Sequence, residues 1–247
     1  MARNMPSKLI SMAVVAPVLK IPALESEAGF LHGFSTLALG SVGLSHAPDP
    51  APVLASRRDF ARALGVDDDL TVVGAVHGKE IARVDEPRGV VQGVDGLVTD
   101  QRGISLFATY ADCYPIVLWD PVKRSAALVH AGWRGTVARV GPAAVRALGE
   151  HYGSKPADIR AGIGPGICGR CYEVGEEVAL RFDPRFVSGG KGDRSLLDLA
   201  AANRAQLEEV GLHEIHSLDV CTKESSFLPS HRREPDGTRF GAIVALR

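Results

Sequence analysis

Three residues combine metal-ligating or nucleophilic atoms with a position at the end of an apolar, β-prone run. His77 follows residues 70–76 and precedes Gly78. Cys113 lies in Tyr110-Ala-Asp-Cys-Tyr114, between the runs 104–109 and 115–119. His130 closes the run 125–129 ahead of Ala131-Gly132. Strand ends hold side chains rigidly while leaving them accessible. Two imidazoles and one thiolate form a three-ligand set with an open fourth position, the pattern of catalytic rather than structural zinc. Zinc held in this way brings the pKa of a bound water toward neutrality. The same residues support a second chemistry, with Cys113 as nucleophile, His130 as its base and Asp112 as orienter. Adjacent residues of an extended chain face opposite ways, so Asp112 is expected instead to accept N–H groups of its own turn. A third reading leaves both histidines as satisfied, half-buried groups and the thiol as a small apolar filler.

An anion site is suggested by Trp133-Arg134-Gly135-Thr136. Glycine lets backbone N–H groups face a ligand, the following helix presents its positive end, and Arg134 adds a fork of donors. The alternative is a tight turn with Thr136 as N-cap. Cys168-Gly-Arg-Cys171 is a lone C-x-x-C. A structural zinc there needs two more ligands, of which Cys221 supplies one, and unpaired structural thiols are the expected state. Ser230-His-Arg-Arg233 reads as a solvated charge run, with closure over an anionic substrate as the alternative.

The elements that position these groups follow from periodicity. Residues 53–65 have one apolar face and end at Gly65, which predicts a helix. Residues 39–52, with Pro48, Pro50 and Pro52, read as a loop. Val137, Val140, Ala144, Val145 and Leu148 give residues 136–151 a helical stripe. Further helices are expected over 172–182 and 195–210, and closing strands over 214–220 and 239–246. Strands outnumber helices in a mixed order, which predicts one α+β domain rather than a doubly wound sheet.

Composition sets the outer limits. The chain has 247 residues, with 28 Lys+Arg against 29 Asp+Glu for a net charge of −1. That balance excludes nucleic-acid binding by bulk electrostatics and gives no reason for an anionic membrane surface as partner. Four cysteines are too few for a disulfide scaffold and fit a reduced, cytoplasmic setting. No run is long and apolar enough for a membrane span. Residues 9–19 superficially resemble a short signal peptide, but Pro17 and Lys20 favour a disordered start followed by a strand.

Val76-His-Gly-Lys-Glu80, Ala111-Asp-Cys-Tyr-Pro-Ile116 and His130-Ala-Gly-Trp-Arg-Gly135 together resemble the signature of the YfiH family, also called laccase-domain or multicopper polyphenol oxidoreductase proteins. Val94-Asp-Gly-Leu-Val-Thr99, Gly164-Pro-Gly-Ile167, Cys171-Tyr-Glu-Val-Gly175, Cys221-Thr222 and Ser230-His-Arg-Arg233 extend the likeness from about Gly33 to the C-terminus.

The resemblance implies a single α+β domain over residues 1–247, with mixed β-sheets packed together and flanking helices. Residues 1–8 are expected to be disordered. It implies that His77, Cys113 and His130 bind a metal, usually zinc, with copper as the alternative. It also implies phosphorolysis of purine nucleosides and deamination of adenosine, on small-molecule partners, a nucleoside and phosphate. Arg57 enters here, as Ser56-Arg57 stands where the family has Asn-Arg, and joins Arg134 as a substrate-binding candidate. The alternatives implied are a peptidoglycan-precursor editing hydrolase using Cys113 or metal hydroxide, a polyphenol oxidase, and an inactive metal-binding protein. A multicopper laccase needs an extended set of His-x-His pairs, and eight His without one such pair support it poorly. Two departures fall near the expected substrate position. Leu37-Ala-Leu-Gly40 replaces an arginine-bearing loop, and Ala75 stands where the family has Gln.

Overall fold

The computed structural model describes residues 16–45 and 47–247. The expectation for residues 1–8 lies outside the described residues, as does the first part of 9–19, whose end forms the strand Val18–Leu19. Two six-stranded mixed sheets form the body. In the first, the spatial order is Val18–Leu19, Phe30–Ser35, Phe240–Leu246, Ser105–Tyr110, Leu70–Gly74 and Val90–Gln92. In the second it is Glu214–Ser217, Arg160–Ile163, Tyr114–Asp120, Ser125–Ala131, Gly96–Thr99 and Ile81–Arg83. A small third sheet joins Glu173–Val174, Ser195–Leu197 and Val187–Gly189.

Strand alternation sorts the core into layers. Along Ser105–Tyr110, Leu106, Ala108 and Tyr110 point between the sheets, where they meet Val117, Trp119, Leu128 and Phe240. Phe107 points the other way, onto Phe60, Ala61 and Leu64 of the helix Pro50–Leu64. The outer face of the second sheet packs Ile116, Leu118 and Val129 against Ala144, Leu148 and Leu207 of the helices Val140–Tyr152 and Leu199–Glu209. Central strands are therefore covered on both faces and read as unbroken apolar runs rather than alternating ones. Each large side chain enclosed in this way contributes about 1.5–3 kcal/mol. The α+β class with packed mixed sheets and flanking helices is the one expected.

Several boundaries differ, for identifiable reasons. The helix expected over 136–151 is two, Trp133–Val137 and Val140–Tyr152, with Arg139 between them at φ 65°. Pro142 has no N–H, and its ring excludes a helical carbonyl four residues earlier, so it is tolerated only in a first turn. The expected loop 39–52 ends early: Asp49 caps the helix through its carboxylate, 2.9 Å from Ala51 N, and Pro50 opens it. Residues 172–182 form a short strand and the helix Glu176–Ala179, because Gly175 breaks the segment. Residues 195–210 begin as the strand Ser195–Leu197 before Asp198 caps Leu199–Glu209. The strand expected over 70–76 stops at Gly74.

Candidate metal centre

The chain passes from the first sheet to the second three times before His130. Leu70–Gly74 leads to Ile81–Arg83, Val90–Gln92 to Gly96–Thr99, and Ser105–Tyr110 to Tyr114–Asp120. Those crossings carry His77, Asp95 and Cys113. His130 faces them from the strand Ser125–Ala131.

Asp95 organises the group. It is fully buried, and charge in such a place must be compensated. Its Oδ1 accepts from His77 N at 2.8 Å, and its Oδ2 accepts from Gly78 N at 2.6 Å and Val76 N at 3.2 Å. Oδ1 also accepts from His130 Nδ1 at 3.1 Å. Its backbone carbonyl accepts from His130 N at 2.7 Å. One carboxylate thus fixes both the loop bearing His77 and the ring of His130. His77 sits at φ 62°, a left-handed conformation that costs a non-glycine residue on the order of 1 kcal/mol. The three amides turned onto Asp95 hold it there.

With Nδ1 committed to Asp95, His130 presents Nε2 to the site. One donor atom each from His77, Cys113 and His130 lies within 4.8 Å of the others. Tetrahedral zinc with bonds of about 2.0–2.3 Å separates its ligand atoms by about 3.3–3.8 Å, so a single ion fits this set with modest adjustment. Space is left for it on the glycine side: a Cβ on Gly132 would stand 2.8 Å from Cys113 Sγ and 3.1 Å from His77 Cδ2. Behind His130 the Tyr110 ring packs at 5.4 Å, with its hydroxyl donating to Val129 O at 3.1 Å. His77 is exposed, Cys113 half-buried and His130 buried, so the open side faces outward past His77.

Charge in the ion-free site follows this geometry. Burial alone raises the Cys113 thiol, but the imidazolium of His130 and hydrogen bonds from His130 and His77 bring it down to about 6. Burial lowers His130, and the Cys113 thiolate together with Asp95 raises it to about 9. Burial raises Asp95, and its bonds from His130, Gly78 and Val76 leave it below the ordinary carboxylate value.

The other expected residues are placed as follows. Arg134 is exposed in the short helix Trp133–Val137, with its guanidinium stacked on the Trp133 ring at 4.3 Å. Thr136 is not an N-cap: its hydroxyl donates to Gly132 O at 3.0 Å within the helix and meets Asn203. That helix has only five residues, so its dipole adds little and any anion affinity rests on the Arg134 side chain. Arg57 lies on the outer face of the first sheet. Its Nε donates to Val42 O at 2.8 Å, and its guanidinium covers the Phe107 ring at 4.7 Å.

Asp112 orients neither histidine. It accepts from Thr222 Oγ1 at 2.5 Å and from Arg232 N at 2.8 Å, tying two distant loops to Cys113 instead of its own turn. Within Ser230-His-Arg-Arg233, Arg233 donates to the carbonyls of Thr222, Lys223, Ser225 and Leu228, and Arg232 to that of Glu173, so these arginines brace loops. Asp95, which ties the candidate ligands together, is the residue of this group that pattern reading gives no role. Its signals are membership of the Val94-Asp-Gly-Leu-Val-Thr99 segment shared with the family and a charge directly before a strand, Gly96–Thr99, that is buried throughout.

A profile of the multi-copper polyphenol oxidoreductase laccase family matches residues 31–247. The chain belongs to this family. It is 44% identical over 214 residues to a purine nucleoside phosphorylase of Streptomyces coelicolor, covering 84% of this chain and 86% of that protein. It is 38% identical over 181 residues to an adenosine deaminase from an unknown prokaryotic organism, covering 66% of this chain and 69% of the other. Among solved structures, YlmD from Geobacillus stearothermophilus superposes with a TM-score of 0.83 at 31% identity, covering 90% of this chain and 93% of that one. Despite the laccase name, the only histidines among the described residues grouped for metal binding are His77 and His130. No helix among the described residues is long and apolar enough to cross a membrane.

Proposed function

We propose that this laccase-family protein is a zinc-dependent purine nucleoside phosphorylase that also deaminates adenosine. The observation that carries the reading is the convergence of His77, Cys113 and His130 around a glycine-lined space, with Asp95 orienting two of the three. The relatives named for phosphorolysis and deamination support the substrate class.

In this reading His77, Cys113 and His130 hold the ion, which when bound supplies a Lewis acid beside an open coordination position. Asp95 keeps His130 in the tautomer that offers Nε2. Arg134 binds phosphate by charge-assisted hydrogen bonds. Arg57, held against Phe107 and Val42, is the second arginine to be tested. In phosphorolysis a phosphate oxygen attacks C1′ of the ribose, the C1′–N9 bond breaks, and the purine leaves with its bonding electrons. Tyr110, buried in the core with its hydroxyl bonded to Val129 O, backs the His130 ring and helps hold it in place. The four free thiols fit a cytoplasmic setting.

The test is incubation of the zinc-loaded protein with adenosine, with and without phosphate. Adenine plus ribose 1-phosphate, and inosine, are the expected products, lost in Cys113→Ala. No product from adenosine, inosine or methylthioadenosine would overturn the reading.

One observation favours a second reading. Cys113 Sγ lies within 4.8 Å of a His130 ring nitrogen and, against burial, that ring lowers the thiol in the ion-free site, which suits a nucleophile attacking an amide of a cell-wall precursor. Turnover of a UDP-linked muramyl amino acid in phosphate-free buffer, resistant to chelation, would select it.

A further inference from the structure

A second group of soft donors lies outside the centre described above. Arg160–Ile163 and Glu214–Ser217 pair in parallel, so the loops that follow them leave the sheet at the same end. These loops are stitched together. Gly166 N donates to Val220 O at 3.2 Å, Thr222 N donates to Gly166 O at 3.0 Å, and Gly166 and Cys221 form an isolated parallel bridge. The first loop carries the C-x-x-C, in a tight turn where Cys171 N and Tyr172 N donate to Cys168 O at 2.9 and 3.0 Å. The second carries Cys221, and one turn later Glu224, with Ser225 N donating to Cys221 O at 3.0 Å.

The outcome is four donors from two loops. Single ligand atoms of Cys168, Cys171, Cys221 and Glu224 all lie within 4.8 Å of one another. Thiolates on one tetrahedral zinc stand about 3.8 Å apart, so the cluster is near the size of a closed four-ligand site. Its surroundings are organised as a ligand shell requires. Cys168 N donates to Cys221 Sγ at 3.4 Å, and Cys171 Sγ donates to Glu224 Oε1 at 3.4 Å. Arg170 Nη2 donates to Glu224 Oε2 at 3.2 Å and more weakly to Oε1 at 3.5 Å, compensating the carboxylate's negative charge beside the sulfurs. Arg233 pins the second loop through the carbonyls of Thr222, Lys223 and Ser225. A cleft of about 520 Å³ lined in part by Cys168, Cys221 and Glu224 gives solvent and ions access.

We propose that Cys168, Cys171, Cys221 and Glu224 form a second, structural zinc site that clamps the loop after Arg160–Ile163 to the loop after Glu214–Ser217. Its position gives it a consequence for the first centre. Thr222, next to Cys221, donates to Asp112, and Ile167 N, next to Cys168, donates to Asp112 O at 3.1 Å. Asp112 adjoins Cys113. The clamp therefore fixes the backbone beside one ligand of the first centre without contributing to its chemistry.

The full-length protein, purified under reducing conditions without chelator, is titrated with Zn²⁺ and then with Co²⁺. Two ions per chain are expected. Cys168→Ser/Cys171→Ser binds one, and Cys113→Ala also binds one, at the other site. In the cobalt form the thiolate-to-metal absorption of the double variant falls to about a quarter of the wild-type intensity, because one of four thiolates remains. If the double variant does not fold, wild-type protein decides by alkylation: zinc protects all four cysteines, and the chelator exposes them. A stoichiometry of one ion per chain with Cys168, Cys171 and Cys221 unprotected by zinc overturns the proposal. A metal-free disulfide among these three cysteines in the freshly isolated protein overturns it equally.

Discussion

The Asp95 carboxylate stands 3.1 Å from His130 Nδ1 while the same oxygen accepts the backbone N–H of His77 at 2.8 Å. A single buried anion thereby sets the ring orientation of one candidate ligand and the backbone of another. Asp95→Asn is expected to lower zinc affinity about 10- to 100-fold, since the amide offers an N–H where the site supplies donors. Competition against a chromogenic chelator measures it, and an unchanged affinity would mean that Asp95 only fills space.

Gly132 tests the space for the ion. Its φ is −85°, open to any residue, so a substitution acts through its side chain alone. Gly132→Ala places a methyl 2.8 Å from Cys113 Sγ. The expected outcome is at least about tenfold weaker zinc binding, with a near-native circular dichroism spectrum and thermal midpoint.

The pairing of Cys113 with His130 predicts a pH signature in the metal-free protein. The thiol at about 6 lies below its ordinary value, so the thiolate is present above about pH 6. Iodoacetamide labelling of Cys113, followed by mass spectrometry, should rise to half its maximum near pH 6, whereas Cys171, pushed up to about 12 by burial first and by Cys168, stays slow. Zinc should abolish the Cys113 reaction. Half-maximal labelling above pH 8 would contradict the ion pair.

Acid stability should depend on His32. Burial, with the nearby charge of Lys20, lowers this ring from 6.5 to about 4, and its Nε2 accepts from Ile21 N at 2.8 Å. The unfolded chain takes up the proton first, so stability is complete above about pH 6.5 and declines as pH falls toward 4. The contribution is roughly 3 kcal/mol. Urea midpoints between pH 7 and 4 should fall less steeply for His32→Gln than for the wild-type chain.

The two arginines should separate. Arg134→Ala removes a charge-assisted contact and should raise the KM for phosphate about tenfold or more with little change in stability. Arg57→Ala should lower the thermal midpoint, because it strips the stack on Phe107 and the bond to Val42 O. An equal rise in phosphate KM for Arg57→Ala would place it in the anion site.

Position alone singles out His77, Cys113 and His130, since each flanks a glycine or turn at the end of an apolar run, but it leaves ligand, nucleophile and structural readings open, and only the family resemblance points to a shared metal. The two-sided burial of the sheets is legible, as runs such as Ser125–Ala131 are apolar without alternation. The role of Asp95 is not, since Val94-Asp-Gly-Leu-Val-Thr99 carries a family likeness but no spacing cue to a bond partner, and the contacts exist only once three crossings meet. The split at Arg139 is visible in Pro142, although the apolar stripe of residues 136–151 masks it. The C-x-x-C at Cys168 and Cys171 is visible locally and Cys221 is a countable third thiol, but the fourfold grouping with Glu224 needs the parallel pairing of Arg160–Ile163 with Glu214–Ser217, which joins segments about fifty residues apart.

The three chain crossings that deliver His77, Asp95 and Cys113 also mean that an ion at this spot acts as a rivet through the seam of the two sheets. Metal uptake then reports how the halves of the sandwich are aligned. A cavity cut between them at the other end of the strand that follows Cys113, as in Trp119→Ala, should register as looser ion binding before any change in the ligands themselves.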